Sequence, residues 1–479
     1  MNNSLVFSFR KLLMAAILSV SCLLSYAQIT MPKFFSDHMV LKSDTTTAFW
    51  GWAERGQPLT VKASWMQDTI KTKVSGTARW KIDLPTAKAG GPYQITIICS
   101  RDTLTLSDVL LGEVWICSGQ SNMQRSAAHK LPQMLDVLHG PFNNAIRILN
   151  VRNIASETPQ DNIYDQWQTC DAASLRPFSA IAYFFAEKLN QTIHVPVGVI
   201  NASWGGTCAE VWLPAGEVLT DSFLAAKSKL QKVAPAKPNI PGQAWNSMIY
   251  PFIGYGITGA LWYQGENNTV SWDGYAKLFS TLIGSWRKKW NRDFPFYFAQ
   301  IAPYNYKNKG IQRGALVREA QNQVATSVKD AHMVLTSDLV NNINDIHPIL
   351  KKEVALRLAD LALVNIYHAS DKNPYSPILK DYKIEEGKVI ISFYYMDGER
   401  LEVKGGDKID GLFIAGKDRK FLPAQYKIDG NKLIVYNSSI SKPVSVRYAF
   451  SDTTLTNLYS SNGLPVSLFR LDDWNEPTK

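Results

Sequence analysis

The sequence predicts an α/β fold: a parallel sheet flanked by helices, with an antiparallel β module before it and another after it. Three observations carry that expectation. Between Val114 and Val364 short apolar runs alternate with stretches of helical period, the pattern of a parallel sheet covered on both faces. On either side of this region the period falls to two. The breaks between runs are rich in Gly, Asn, Asp and Pro, the residues that turn a chain.

Taken in order, residues 28–107 read as an N-terminal β module, with alternating segments such as Thr47 to Trp52, Leu59 to Ala63, Trp80 to Leu84 and Tyr93 to Ile97. Residues 108–372 follow as the α/β region. Its strands are expected at Val114 to Cys117, Val195 to Ile200, Ile257 to Tyr263, Phe296 to Ile301 and Met333 to Thr336. Its helices are expected at Ser179 to Leu189, Tyr275 to Trp290, Gly314 to Ala325 and Lys351 to Val364. Residues 373–479 return to strands, among them Val389 to Phe393, Leu433 to Tyr436 and Val444 to Tyr448, separated by Asp-Gly and Gly-Asn turns. In such sheets ligands bind beyond the carboxyl ends of the strands, so residues just after each strand are the candidates for chemistry.

The first 27 residues stand apart. Arg10 and Lys11 precede an apolar run from Leu12 to Leu24, and Ser25-Tyr26-Ala27 closes it with small residues at the positions a signal peptidase reads. The run is short of the roughly 20 apolar residues that span a bilayer, so an exported, periplasmic or extracellular chain with no membrane span after cleavage is expected. That segment holds two basic residues and no acidic one, so the rest of the chain stays mildly basic. Without a dense basic run this is no footprint for nucleic acid, although an acidic glycan suits it. Cys99, Cys117, Cys170 and Cys208 show no metal-ligand spacing and no disulfide framework, and neither a metal nor an organic cofactor is expected.

Four segments after expected strands carry polar chemistry. Gly119-Gln120-Ser121-Asn122-Met123 sets a serine on a turn where its hydroxyl and nearby N–H groups can face a ligand. A serine in such a turn also serves as a plain helix cap. Asp345-Ile346-His347-Pro348 offers a histidine with a carboxylate beside it, the pairing that activates a hydroxyl, or equally a helix-start charge and a locally bonded ring. Asn201-Ala202-Ser203-Trp204-Gly205-Gly206-Thr207 and Trp262-Tyr263-Gln264-Gly265-Glu266-Asn267-Asn268 supply glycine amides and Asn or Gln donors, which are also ordinary loop residues. One crevice at the sheet's carboxyl edge would collect all four.

In this order the four segments resemble the GDSL-like or SGNH hydrolase superfamily, and the chain from Phe35-Ser36-Asp37-His38-Met39 to Gly463-Leu464-Pro465-Val466-Ser467 resembles the bacterial sialate O-acetylesterases. The resemblance implies an SGNH-type sheet, a serine carboxylic-ester hydrolase, and removal of O-acetyl groups from sialic acids. Ser121 would be the nucleophile, His347 the base and Asp345 its orienter, with Asp338 as the reserve carboxylate. The oxyanion hole would use the Ser121 amide, an amide of Gly205 or Gly206, and Asn268, although Asn267 better fits the superfamily's Gly-x-Asn spacing. Gln120, Arg125, Trp204, Gln264 and Glu266 are the candidates for substrate contact, and Trp212, Trp262 and Trp272 could also stack on sugar faces. An unperturbed imidazole would make activity fall below roughly pH 6 to 7. Two other readings accompany this one: an acetylesterase for xylan or another hemicellulose, and a non-catalytic carbohydrate-binding protein.

Overall fold

The computed structural model describes residues 28–231, 234, 236–307 and 310–474; the segment read as an export signal lies outside them. Its centre is a sheet of β7 (Asp102–Gly119), β8 (Ile146–Asn150), β9 (Gln168–Thr169), β10 (Val197–Ser203), β11 (Gly259–Tyr263), β12 (Phe296–Ala299) and β13 (Ala331–Val334). The spatial order is β13-β12-β11-β7-β10-β8-β9, parallel except for β9 against β8. Every residue of β10, β11 and β12 is buried. Such strands read as unbroken apolar runs because both of their faces are covered.

Alternate side chains of these strands enter different cores. Ile116, Ile200, Ala260, Trp262, Phe296 and Phe298 pack with Phe279, Leu282, Ile283 and Trp286, while Trp115, Cys117, Val199, Leu261 and Tyr297 pack with Ile181, Phe185, Leu358 and Leu361. The first group of helix residues belongs to the helix Tyr275–Trp290, the second to Ala180–Ile193 and Lys351–Asn365. Spacings of three and four place each set on one stripe of its helix. Each large apolar side chain buried this way contributes roughly 1.5 to 3 kcal/mol. Helix Tyr275–Trp290 ends where Asn291 turns left-handed at φ 51°, with Arg287, Lys288 and Lys289 in its last turn beside the bare carbonyls.

The N-terminal strands join this sheet directly. β1 (Val40–Lys42) runs parallel to Leu110–Gly112 of β7, and the strand Gly90–Cys99 pairs antiparallel with the first half of β7. The boundary expected after Ser107 therefore falls inside a single strand. After helix Lys351–Asn365 the chain forms antiparallel sheets whose core includes Val389, Ile391, Leu433, Val435, Val446 and Tyr448. Ala315 and Leu316 of the helix Arg313–Ser327 reach into that core. All four cysteines of the described chain are buried and free. None of the described helices is long and apolar enough to cross a membrane.

Candidate active site

The crevice lies past the carboxyl ends of β7, β10 and β11. Gly119 closes β7 with φ 130°, a conformation that L side chains rarely adopt, and a Cβ there would stand 2.2 Å from the Tyr263 carbonyl oxygen. Only glycine lets β7 and β11 approach this closely and the chain then turn. The turn starts the short helix α1 (Ser121–Gln124) with Ser121 at its first position. Backbone N–H groups at the start of a helix have no partner inside it, so the Ser121 amide is a free donor by position.

Ser121 Oγ lies 2.9 Å from His347 Nε2, although 226 residues separate them. The other ring nitrogen has two neighbours. Arg125 Nη2 is 2.7 Å from Nδ1, and Asp345 Oδ1 is 3.6 Å from the same atom. Asp345 instead accepts the His347 backbone N–H at 2.9 Å, so it anchors the loop while its approach to the ring is long. Burial pushes the imidazole down to about 4, helped by the positive charges of Arg125 and Lys351 and opposed by Asp345. The histidine is therefore held neutral far below its ordinary range.

Asp338 is not near this ring. Both of its oxygens accept from Arg357, at 2.8 and 2.6 Å, in a two-point ion pair, and neither is bonded to His347.

Two expected oxyanion contacts take other roles. Asn268 does not face the crevice: it is fully buried, its Oδ1 accepts from the Ala209 amide and Gln264 Nε2, and its Nδ2 donates to Glu210. With those groups engaged it has no donor to offer an oxyanion. Asn267, one residue earlier, is exposed and donates to the Gly206 carbonyl at 2.6 Å. The Gly205 amide is occupied by Gln124 Oε1 at 2.7 Å, and that glycine serves close packing, since a Cβ would stand 3.2 Å from Ser121 Cβ.

The list of substrate contacts also contracts. Trp204, Trp212 and Trp262 belong to the core, Gln264 is fully buried and bonded to Thr207, Asn268 and Tyr275, and Gln120 is buried with its Oε1 toward the Gly265 and Asn267 amides. Trp272 is half-buried against the core. Of the expected substrate contacts, Arg125 is the one that is partly exposed and touches the Ser121–His347 pair.

Glu266 turns out to be a support. It accepts from Asn122 Nδ2, and the same Asn122 donates to the Ile346 carbonyl at 3.0 Å and accepts from Lys351 Nζ at 2.6 Å. Burial pushes the Lys351 ammonium down to about 7 and the Glu266 carboxyl up. Asn122 thus ties the turn after Ser121 to the peptide before His347. Sequence reasoning missed both Asn122 and Lys351 as functional. The one available signal was Asn122's place directly after the serine, while Lys351 reads as an ordinary helix-start lysine. Among the described residues no group of three or more His, Cys, Asp or Glu could hold a metal ion.

A serine hydroxyl on a neutral imidazole, at a strand end with amide donors beside it, is equipped for acyl transfer. A family model described as carbohydrate esterase, sialic acid-specific acetylesterase matches residues 111–363. The chain belongs to that family. The match covers the α/β region from β7 to helix Lys351–Asn365 and includes Ser121, Asn267 and His347. Sialate O-acetylesterase of Mus musculus is 26% identical over 479 aligned residues, covering 87% of this chain and 88% of that protein. Sialate O-acetylesterase of Homo sapiens is 26% identical, covering 87% of each. Among solved structures, a carbohydrate acetylesterase from Xanthomonas citri superposes with a TM-score of 0.85 at 30% identity, over 93% of this chain and all of that one. As a member of this family the chain is a carbohydrate esterase.

Proposed function

We propose that the protein is an exported sialate O-acetylesterase that works through a serine acyl-enzyme, with Ser121 as nucleophile, His347 as base and Asp345 as the group that receives the imidazole's second N–H. The observation that carries this reading is the 2.9 Å contact between Ser121 Oγ and His347 Nε2 at the carboxyl edge of the sheet. His347 takes the hydroxyl proton as Oγ bonds to the acetyl carbon. The proton then passes to the sugar oxygen as the ester bond breaks. Water repeats the sequence through the same base and leaves acetate and free serine. The developing oxyanion is met by the amides of Ser121 and Gly206 and by the Asn267 side chain. Export rests on residues 1–27, and the sialic acid preference on the curated relatives and on a guanidinium beside the reacting pair, the group that best matches a carboxylate.

The decisive experiment measures acetate release by the purified protein from O-acetylated sialic acids and from acetylated xylan in parallel. Faster release from the sialic acids is expected. Faster release from xylan would favour the hemicellulose reading, for which the likeness to a carbohydrate acetylesterase of unspecified sugar speaks. Release from neither would favour a binding protein.

The oxyanion assignment is tested separately. Asn267→Ala should lower kcat by about 100-fold or more with little change in KM, the usual cost of losing one such donor. Asn268→Ala should act mainly on the melting temperature, because it leaves the Ala209 amide and Glu210 without their partner. The reverse pattern in kinetics and thermal melts would restore Asn268.

A further inference from the structure

We propose that Arg125 is a substrate-released lock on His347: its guanidinium holds the imidazole in the non-basic tautomer, and a carboxylate on the bound sugar frees the ring by taking the guanidinium for itself. This inference rests on the serine-esterase reading above and adds to it the means by which an acidic sugar is selected.

The argument begins with donors and acceptors. A guanidinium carries only N–H donors, so its 2.7 Å contact with Nδ1 engages the nitrogen's lone pair. In a neutral imidazole the proton then sits on Nε2, where it is donated to Ser121 Oγ across 2.9 Å. A base must present the opposite arrangement, with Nε2 bare toward the serine and the proton on Nδ1. Asp345 stands 3.6 Å from Nδ1, close enough to receive that proton's hydrogen bond after a small adjustment, while the guanidinium holds the nearer place at 2.7 Å.

Arg125 is fitted for release. Its backbone is pinned, its N–H bonding to Ser121 and its carbonyl accepting from Ala180, so only the side chain needs to move. The residue is partly exposed and, among the described residues, makes no ion pair with Asp or Glu; the ring nitrogen is its side-chain partner. A cation held by a neutral acceptor gives way readily to a carboxylate, which offers two oxygens and a full charge. Of the charged groups around the ring, Asp345 favours the guanidinium's staying, but its Oδ1 already accepts the His347 amide. Lys351 repels the guanidinium, and His129 is bonded to Ser126 through Nδ1. Once the guanidinium swings to the sugar carboxylate, the proton relocates through solvent from Nε2 to Nδ1, Asp345 accepts from Nδ1, and the serine gains a base. Neutral esters do not drive the exchange and are hydrolysed by the fraction of molecules whose guanidinium has already left the ring.

The experiment compares the full-length mature protein with Arg125→Gln and Arg125→Lys on three substrates: an O-acetylated N-acetylneuraminic acid, its carboxyl methyl ester, and p-nitrophenyl acetate. The wild type should favour the free acid over the methyl ester by about tenfold or more in kcat/KM. Arg125→Gln should lose that preference and hydrolyse p-nitrophenyl acetate several-fold faster than the wild type. Nitrogen-15 NMR of labelled histidine gives the direct readout. His347 should carry its proton on Nε2 in the free wild type, and on Nδ1 in Arg125→Gln or when unacetylated N-acetylneuraminic acid is bound. A proton on Nδ1 in the free wild type would overturn the lock, as would a fall of Arg125→Gln activity on all three substrates alike. Should Arg125→Gln fail to fold, Arg125→Lys, which keeps the charge on a head without the planar fork, is expected to show a weaker preference; an unchanged preference would count against the proposal. Ser121→Ala serves as the separating control. If it keeps its activity, the esterase reading fails, whereas the tautomer measurement still tests the lock.

Discussion

Ser121→Ala is expected to remove at least about three orders of magnitude of p-nitrophenyl acetate hydrolysis while the melting temperature stays within a few degrees. The acyl acceptor is lost, but the turn that carries it depends on Gly119 and on backbone bonds, from the Gln120 amide to Tyr263 and from the Arg125 amide to Ser121, which an alanine preserves. The hydroxyl's partner in the structure is His347, and losing one hydrogen bond at a half-buried position costs only about 1 kcal/mol. Activity is thus far more sensitive than stability at this position. A variant that melts like the wild type and retains more than about a thousandth of its rate would remove Ser121 from the mechanism.

The second large effect belongs to His347. His347→Ala should be as damaging as Ser121→Ala, and the double variant hardly worse than either, because the two act in one proton transfer and their losses do not add. The pH profile sharpens the test. An ordinary imidazole predicts an acid limb near pH 6 to 7, but burial, then Arg125 and Lys351, push this one down to about 4. The base of the free enzyme therefore stays neutral in mild acid, and kcat/KM should hold until the pH approaches about 4. The same shift acts on stability with a definite sign. The folded pKa lies below the unfolded value of 6.5, so protons favour the unfolded chain, and stability falls as the pH drops from 6.5 through about 4 before levelling off. An acid limb that stays near pH 6.5 in kcat/KM would show that the ring is not held in this environment.

Much of the fold was legible because burial leaves a periodic trace. The expected helix Tyr275 to Trp290 coincides with the observed one, its apolar stripe ending where basic residues and Asn291 close the last turn. The strand Ile146–Asn150 left a weaker trace, since Arg147 interrupts its apolar run. That arginine is buried against Asp108 in a two-point ion pair, so a charged residue occupies a position that patterning assigns to solvent. Within the site, the serine and histidine segments stood out because turn residues followed strands. Which neighbour faces the crevice did not. Asn267 and Asn268 are chemically identical, and a single step along the short 3-10 helix that begins at Glu266 decides which one points outward and which is consumed by Glu210 and Ala209. Gln264 and Trp204 misled for a related reason, since the residue that opens a binding loop is often the one that nails it to the core. Lys351 and Asn122 meet across 229 positions, and no local pattern reports such a contact.

The long strand β7 has a mechanical consequence. Its eighteen residues pass from one sheet into another: the first half pairs antiparallel with the strand Gly90–Cys99, Asp108 within it turns left-handed at φ 53°, and the second half lies between β10 and β11, with Ser121 two residues past its tip. Paired along both halves, the strand cannot shift in one sheet without disturbing its ladder in the other. The N-terminal strands therefore act less like an appended wing than like a second foundation for the strand that leads to Ser121. Grafting the Ser121 turn onto another scaffold would mean transplanting that foundation with it.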